Sequence, residues 1–288
     1  MRRKLIFSIL LLSSLIAKSQ DNAIFADARS HYNNAQYADA LISLNRITET
    51  DEANFDVWLL KGDCYQKEEN FVEAIQAYKK AEKLNDQSAL LYANWASALY
   101  NRNEIEAGEK KAKEALKIDK ELPEANYFMG NLKHHEYSLM AALKYYNQAI
   151  KLKPDYRDAL YMRAATYAEL GNYSKALKDY EKVLEIDPNL AQAKYNIGVI
   201  QLATESYAAA AKTFEELKPE NLDKPIDYYF YQAEALYFAG EKEEACLLYE
   251  KAKDLGDIES AGIYQKYCLD KEERKEPAGK TRTIRATF

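Results

Sequence analysis

The chain has 288 residues, 48% hydrophobic and 30% charged, with 24 Tyr, nine Gly, three Cys and a formal net charge of −6. That charge is divided unevenly, +4 on residues 1–19, +3 on residues 271–288 and −13 on the body between them. An acidic body disfavours nucleic acid, whose phosphates reward Lys and Arg, and an odd cysteine count excludes a fully paired disulfide framework within one chain.

Residues 1–19, MRRKLIFSILLLSSLIAKS, place Arg2, Arg3 and Lys4 before an apolar run from Leu5 to Ala17. This is the pattern of a secretory signal peptide, with Ala17 and Ser19 as the small cleavage-site residues and cleavage expected after Ser19. A membrane-spanning anchor is the competing reading, but the run is short of the roughly 20 apolar residues that a helix needs to cross the hydrocarbon core. The sequence therefore predicts an exported protein, periplasmic or extracellular, with no membrane insertion after cleavage.

From Asp21 to Glu259 the chain repeats itself. Seven blocks follow one another at 21–54, 55–88, 89–122, 123–156, 157–190, 191–225 and 226–259, and each has Ala or Gly at its eighth and twentieth slots. The eighth holds Ala28, Gly62, Ala96, Gly130, Ala164, Gly198 and Ala233; the twentieth holds Ala40, Ala74, Gly108, Ala142, Ala176, Ala210 and Ala245. Apolar residues recur at helical spacing in two runs per block, parted near the fifteenth slot by Gly171, Gly240, Asn103 or another polar residue. Each block is thus a predicted helical hairpin, and the paired small residues mark where its two backbones approach. Larger residues, among them Leu44, Tyr78, Tyr146, Tyr180, Phe214 and Tyr249 at the twenty-fourth slot, fill the core of the hairpin. The sixth block carries a one-residue insertion, and its end, LKPENLDKP over 217–225, predicts a local irregularity without a domain break.

The stretch Leu160 to Pro188, LYMRAATYAELGNYSKALKDYEKVLEIDP, resembles a tetratricopeptide repeat almost slot for slot. The resemblance extends to all seven blocks. It departs from the family pattern at Ala112, at Lys133 and Tyr137, and at Lys194 and Gln201. It implies an all-α superhelix, a solenoid of about seven hairpins, whose units stack on their neighbours and offer extended surfaces rather than an enclosed active site. Residues 260–270 carry Ile263, Tyr267 and Cys268 at the spacing of one more helical face and are read as a capping helix. Residues 271–288, KEERKEPAGKTRTIRATF, are charged and aperiodic. Disorder is the default for such a composition, and a basic docking segment is the sharper alternative.

Few side chains suggest chemistry. Cys64 lies five blocks from the other cysteines and is read as a small buried apolar residue. Cys246 and Cys268 lie close enough along the array to meet, although each also fits as core packing. His134 and His135 point about 100° apart on a helix, which leaves no converging set of metal ligands. A nucleophile elbow, a phosphate loop, a dinucleotide fingerprint and a zinc-protease motif are all missing from the sequence, so neither an enzyme nor a cofactor is expected.

In the family that the blocks resemble, the second, fifth, ninth, twelfth and thirteenth slots face inward from the first helices. Here the fifth slot holds Phe25, Leu59, Ala93, Tyr127, Tyr161, Tyr195 and Phe230, and the twelfth adds Tyr32, Tyr100, His134 and Tyr237. Asp63, Glu124, Asp158, Glu169, Asp227 and Glu234 stand around them as an expected acidic rim. The family's clamp for a terminal carboxylate needs Lys and Arg at the inner slots, and those positions are aromatic, apolar or acidic here. The expected function is a non-enzymatic protein-interaction scaffold of the cell envelope that takes a peptide or helix of a partner protein in an aromatic, acid-rimmed concave groove. Two alternatives are a structural or assembly subunit that docks through its convex face or its ends, and a periplasmic module that stacks glycans on its aromatic rings.

Overall fold

The computed structural model describes residues 20–50, 54–222 and 225–269, and the expected signal peptide and basic tail lie outside them. Every regular element among these residues is helical. The chain divides into two compact units, one ending at Glu136 and the other beginning at Tyr137.

The first unit opens with a helix over residues 20–33 (α1). It continues through α2 (Tyr37–Thr50), α3 (Phe55–Lys67), α4 (Phe71–Leu84), α5 (Ala89–Asn101), α6 (Ile105–Ile118) and α7 (Pro123–His135). The Asn54 and Ser88 side chains accept from the amides of Val57 and Leu91 and so cap α3 and α5, while Pro123 stands at the start of α7, where its missing N–H costs nothing. Consecutive helices pack in pairs, and odd-numbered helices also touch one another, α3 on α5 and α5 on α7. Lys111 clamps the seam between the second and third hairpins. Its ammonium lies 4.0 Å from the Trp95 ring centre and 4.6 Å from that of Tyr92, and it pairs with Glu82 at 2.8 Å and Glu114 at 2.9 Å.

The second unit contains α8 (Leu139–Leu152), α9 (Arg157–Glu169), α10 (Tyr173–Ile186), α11 (Ala191–Ala203), α12 (Tyr207–Glu215), α13 (Pro225–Ala239), α14 (Lys242–Asp254) and α15 (Ile258–Ile263). α12 is only nine residues long and gives way to a 3-10 turn at Pro219–Asn221, so the extra residue of the sixth block is absorbed between helices. α12 still packs along α13, and the Tyr228 hydroxyl donates to the Phe214 carbonyl at 3.1 Å across that contact. After α15 the chain widens into a π-helical turn over Tyr264–Leu269. This turn is fastened to α14 by a disulfide between Cys246 and Cys268, one of the two arrangements that the sequence left open for these residues. Cys64 is a free thiol, fully buried in the core of the first unit.

The small-residue beat has two physical causes. At Gly108 a Cβ would stand 3.2 Å from the Ala96 carbonyl oxygen, so the twentieth and eighth slots set the distance between α5 and α6. At the eighth slot a large ring from the twenty-fourth also demands the space: a methyl on Gly62 would run into the Tyr78 ring, and one on Gly198 would lie 2.8 Å from the Phe214 ring. Those twenty-fourth-slot side chains are the deepest of all, with Leu44, Tyr78, Tyr146, Tyr180 and Phe214 wholly buried. The turn inside each hairpin is equally regular, because the fifteenth-slot residue always adopts the left-handed backbone conformation. Glycine does so at Gly171 and Gly240, but Ala35, Glu69, Asn103, Tyr137 and Glu205 do so as well, with φ between 55° and 63°.

Candidate partner-binding faces

The odd-numbered helices present the side chains that the sequence assigns to binding. In the first unit Phe25, Tyr32, Leu59, Tyr100, Tyr127 and His134 are all half-buried, so each keeps some surface open. Phe25, Tyr32, Leu59, Tyr100 and Tyr127 are held by identifiable neighbours. The Arg29 guanidinium lies 5.8 Å from the Phe25 ring centre, Tyr32 meets Tyr37 edge-on at 5.5 Å, Tyr127 leans on Phe128 at 5.1 Å, and Tyr100 meets His135 edge-on at 6.0 Å. Leu59 packs against the cluster built around Trp58, Tyr78, Leu91 and Trp95.

Asp63, half-buried like these side chains, is engaged by the helices behind this surface. Its Oδ1 accepts from the Tyr78 hydroxyl and from Asn94 Nδ2, each at 2.8 Å, which ties α3 to α4 and α5 at one atom. Gln66 Oε1 lies 3.1 Å from the same hydroxyl, and Gln66 Nε2 donates to Ser97 Oγ at 2.8 Å. Burial pushes the Asp63 carboxyl up to about 6, with the bonds from Tyr78 and Asn94 only partly opposing it. Burial, and then the nearby Asp63 charge, raise the Tyr32 hydroxyl well above its ordinary value, so it stays a neutral donor.

In the second unit Tyr161 and Tyr195 are half-buried and ordered by the helices behind them. Asn196, itself buried, donates one amide hydrogen to the Tyr161 hydroxyl at 3.0 Å and the other to Tyr180 at 2.9 Å. The Tyr161 and Tyr180 rings meet edge to face at 5.4 Å. Tyr195 sits between Phe214 at 5.9 Å and Tyr231 at 6.2 Å. Nearby, Arg163 grips the buried Asp179 with two 2.7 Å bonds and spends a third donor on Asn147, locking α8, α9 and α10 together.

Two expected binding residues are corrected by this geometry. Phe230 is wholly buried, because its ring turns into the seam between α13 and α14 and meets Tyr249 edge-on at 6.1 Å. Tyr237 is 7% exposed, because the π-helical turn after α15 brings Tyr267 to 6.4 Å from its ring centre. Both are core residues. The expected acidic rim also loses Glu234, whose Oε1 accepts from the Tyr249 hydroxyl at 3.0 Å, and Asp158 is engaged by Arg157 at 2.8 Å.

What the slots concealed was the reach of the buried tyrosines. Tyr78 and Tyr249 are bonded to acids 15 residues earlier, at the ninth slots of their own blocks, so a buried ring delivers its hydroxyl to the underside of the first-helix face. An acid at the ninth slot with Tyr at the twenty-fourth is the signal that identifies such a pair, and it is present in the second and seventh blocks.

Residues of α12, α13 and α14, among them Ala211, Leu236 and Leu247 with Glu215, Glu241, Glu244 and Lys212, line a groove of about 510 Å³. Among the described residues no helix is long and apolar enough to cross a membrane.

Comparison with known proteins agrees with this architecture. The sequence matches the tetratricopeptide-repeat family over residues 25–89 and again over 158–190. No curated protein matches it. Among solved structures it is similar to PilF of Pseudomonas aeruginosa, at 16% identity over 75% of this chain and 97% of that one, with a TM-score of 0.65. A tetratricopeptide repeat protein of Parabacteroides merdae is 17% identical over 86% and 98% of the two chains, with a TM-score of 0.55. A chain of the APC/C Cut9–Hcn1 hetero-tetramer is 15% identical over 81% of this chain and 42% of its own, with a TM-score of 0.66. At such identities the likeness is one of fold.

Proposed function

Because the chain belongs to the tetratricopeptide-repeat family, we propose that it is a non-enzymatic scaffold, exported from the cytoplasm, that holds a peptide or helix of a cell-envelope protein on its first-helix faces. Repeat proteins of this family act as protein-interaction scaffolds. The envelope setting rests on residues 1–19, and the Cys246–Cys268 bond agrees with it, since disulfides persist in oxidising compartments.

One observation carries the binding reading. Tyr127, Tyr161 and Tyr195 are half-exposed yet fixed by neighbours, so each offers an amphipathic ring whose freedom is already spent. Such rings bind at low entropic cost, about 0.5–1.5 kcal/mol less per side chain than a mobile one. The acidic body of the chain, with a net charge of −13, favours a segment with basic residues beside its apolar anchors.

A photo-crosslinking amino acid placed in turn at Tyr127, Tyr161 and Tyr195, and at the exposed outer positions Val72 and Met140, tests this in the native envelope. Adducts to one protein from the three tyrosine positions and none from the outer pair are expected. The reverse pattern replaces the proposal with that of an assembly subunit docking through its other face. Alanine at all three tyrosines should abolish co-purification of that protein with the chain while leaving helicity unchanged.

A further inference from the structure

We propose that the groove between α12 and α14 is the seat of this chain's own residues 279–288, a surface separate from the first-helix faces. The groove is lined by apolar side chains, Ala211, Leu236 and Leu247 among them, together with three glutamates and a single lysine. Leu247 is 66% exposed, an apolar side chain left open to water within the site. The segment GKTRTIRATF has the complementary composition, with Lys280, Arg282 and Arg285, no Asp or Glu, and the apolar anchors Ile284 and Phe288. Glu241 and Glu244 attract the cations while Ile284 or Phe288 covers Leu247.

The tether makes this encounter local. Cys268 is bonded to Cys246 with their Cα atoms 5.6 Å apart, and Cys246 is the neighbour of Leu247 along α14. Leu269 therefore starts within about 13 Å of Leu247, given about 3.8 Å between successive Cα atoms. The 15 residues from there to Ile284 span up to about 50 Å when extended, far more than the approach requires. A segment held at that range sees its site at an effective concentration of roughly millimolar, so an intrinsically weak contact is occupied most of the time.

The test uses the full mature chain with a benzoylphenylalanine at position 247. Irradiation followed by peptide mapping should give adducts on residues 279–288 in a species of monomer mass. Glu241→Lys with Glu244→Lys should lower that yield about tenfold, and 0.5 M salt should lower it comparably, because the attraction is between solvent-exposed charges. The same group at Met140, exposed on α8, should not mark the segment. Adducts at dimer mass assign the groove to a second copy, adducts to another protein assign it to a partner, and unchanged yield in the charge-reversed variant removes the electrostatic basis. Each of these results overturns the proposal without touching the crosslinks expected from Tyr127, Tyr161 and Tyr195.

Discussion

Replacing Cys246 and Cys268 with serine removes the one covalent link that holds the π-helical turn onto α14. The two residues are 22 apart in sequence, and closing a loop of that length lowers the entropy of the opened chain by an amount worth about 3 kcal/mol at 25 °C in the chain-entropy description. The loss falls on a short element, since α15 has six residues and the turn another six, and neither would be stable in isolation. Their remaining attachments include the packing of Tyr267 on Tyr237 and of Ile263 on the apolar core, the Lys253 ammonium 4.4 Å from the Tyr264 ring centre, and the Tyr264 hydroxyl, which donates to Glu250 at 2.9 Å. Hydrogen exchange read by mass spectrometry over residues 258–269 measures the opening directly. Protection there should fall by about two orders of magnitude in the double-serine variant or under reductant, since about 1.4 kcal/mol is a factor of ten, while α3 to α6 exchange as before. Tyr237 should gain exposure at the same time. If protection over 258–269 is unchanged on reduction, helix packing alone secures this end and the argument from loop closure fails.

Asp63→Asn should alter how stability depends on pH. The folded carboxyl titrates near 6 against 3.8 for the unconstrained group. The native state therefore holds its proton while the unfolded state releases one, and stability is lost as pH rises from about 4 through 6. Urea midpoints at pH 4.5 and 7.5 should differ less in the Asn variant, which keeps an oxygen for Tyr78 and Asn94; an unchanged difference assigns the effect to another group. Gly198→Ala should destabilise by about 1–3 kcal/mol through overpacking against Phe214, read as a lower urea midpoint with helicity retained, and Gly262→Ala, with open space at its Cβ, is the control. Glu69→Gly should do the opposite and stabilise by up to about 1 kcal/mol, because glutamate at φ 58° bears a cost of left-handed backbone that glycine escapes. A midpoint that falls in Glu69→Gly would mean that glycine's entropy in the unfolded chain outweighs the relief.

The period of side-chain size in the sequence translated almost directly into packing. Ala28, Ala40, Leu44 and Ile47 are all fully buried, as are Ala74, Tyr78 and Ala81 in the next hairpin and Ala176, Tyr180 and Val183 three hairpins on. Burial of this kind is a property of slots, and slots repeat. The hairpin turn was less legible because its backbone is imposed from outside. Two packed helices joined by a three-residue connection need a left-handed residue at the fifteenth slot, and Ala35 or Glu205 takes that conformation although nothing in its own chemistry favours it. The disulfide was open in the sequence for a related reason. Two cysteines that suit a core equally well become a bond only when α14 and the succeeding turn bring their Cα atoms to 5.6 Å.

The proposed binding surface was legible in residue type and not in depth. Ten residues occupy equivalent slots on paper, yet Tyr161 and Tyr195 keep surface while Phe230 and Tyr237 have none to spare. The difference lies in the neighbour that packs on each ring. Tyr161 has Asn196 of the next first helix beside its hydroxyl, a polar neighbour that steadies the ring without covering it. Tyr237 has the π-helical turn, whose Tyr267 lies across it. The end of an array thus converts a surface position into a core position, because the terminal hairpin must shield its apolar side with whatever chain remains. The proposed partner surface of the second unit therefore rests on α9 and α11. In that proposal the seventh hairpin acts through the packing of Tyr231 on Tyr195, and Phe230 and Tyr237 supply no contact surface.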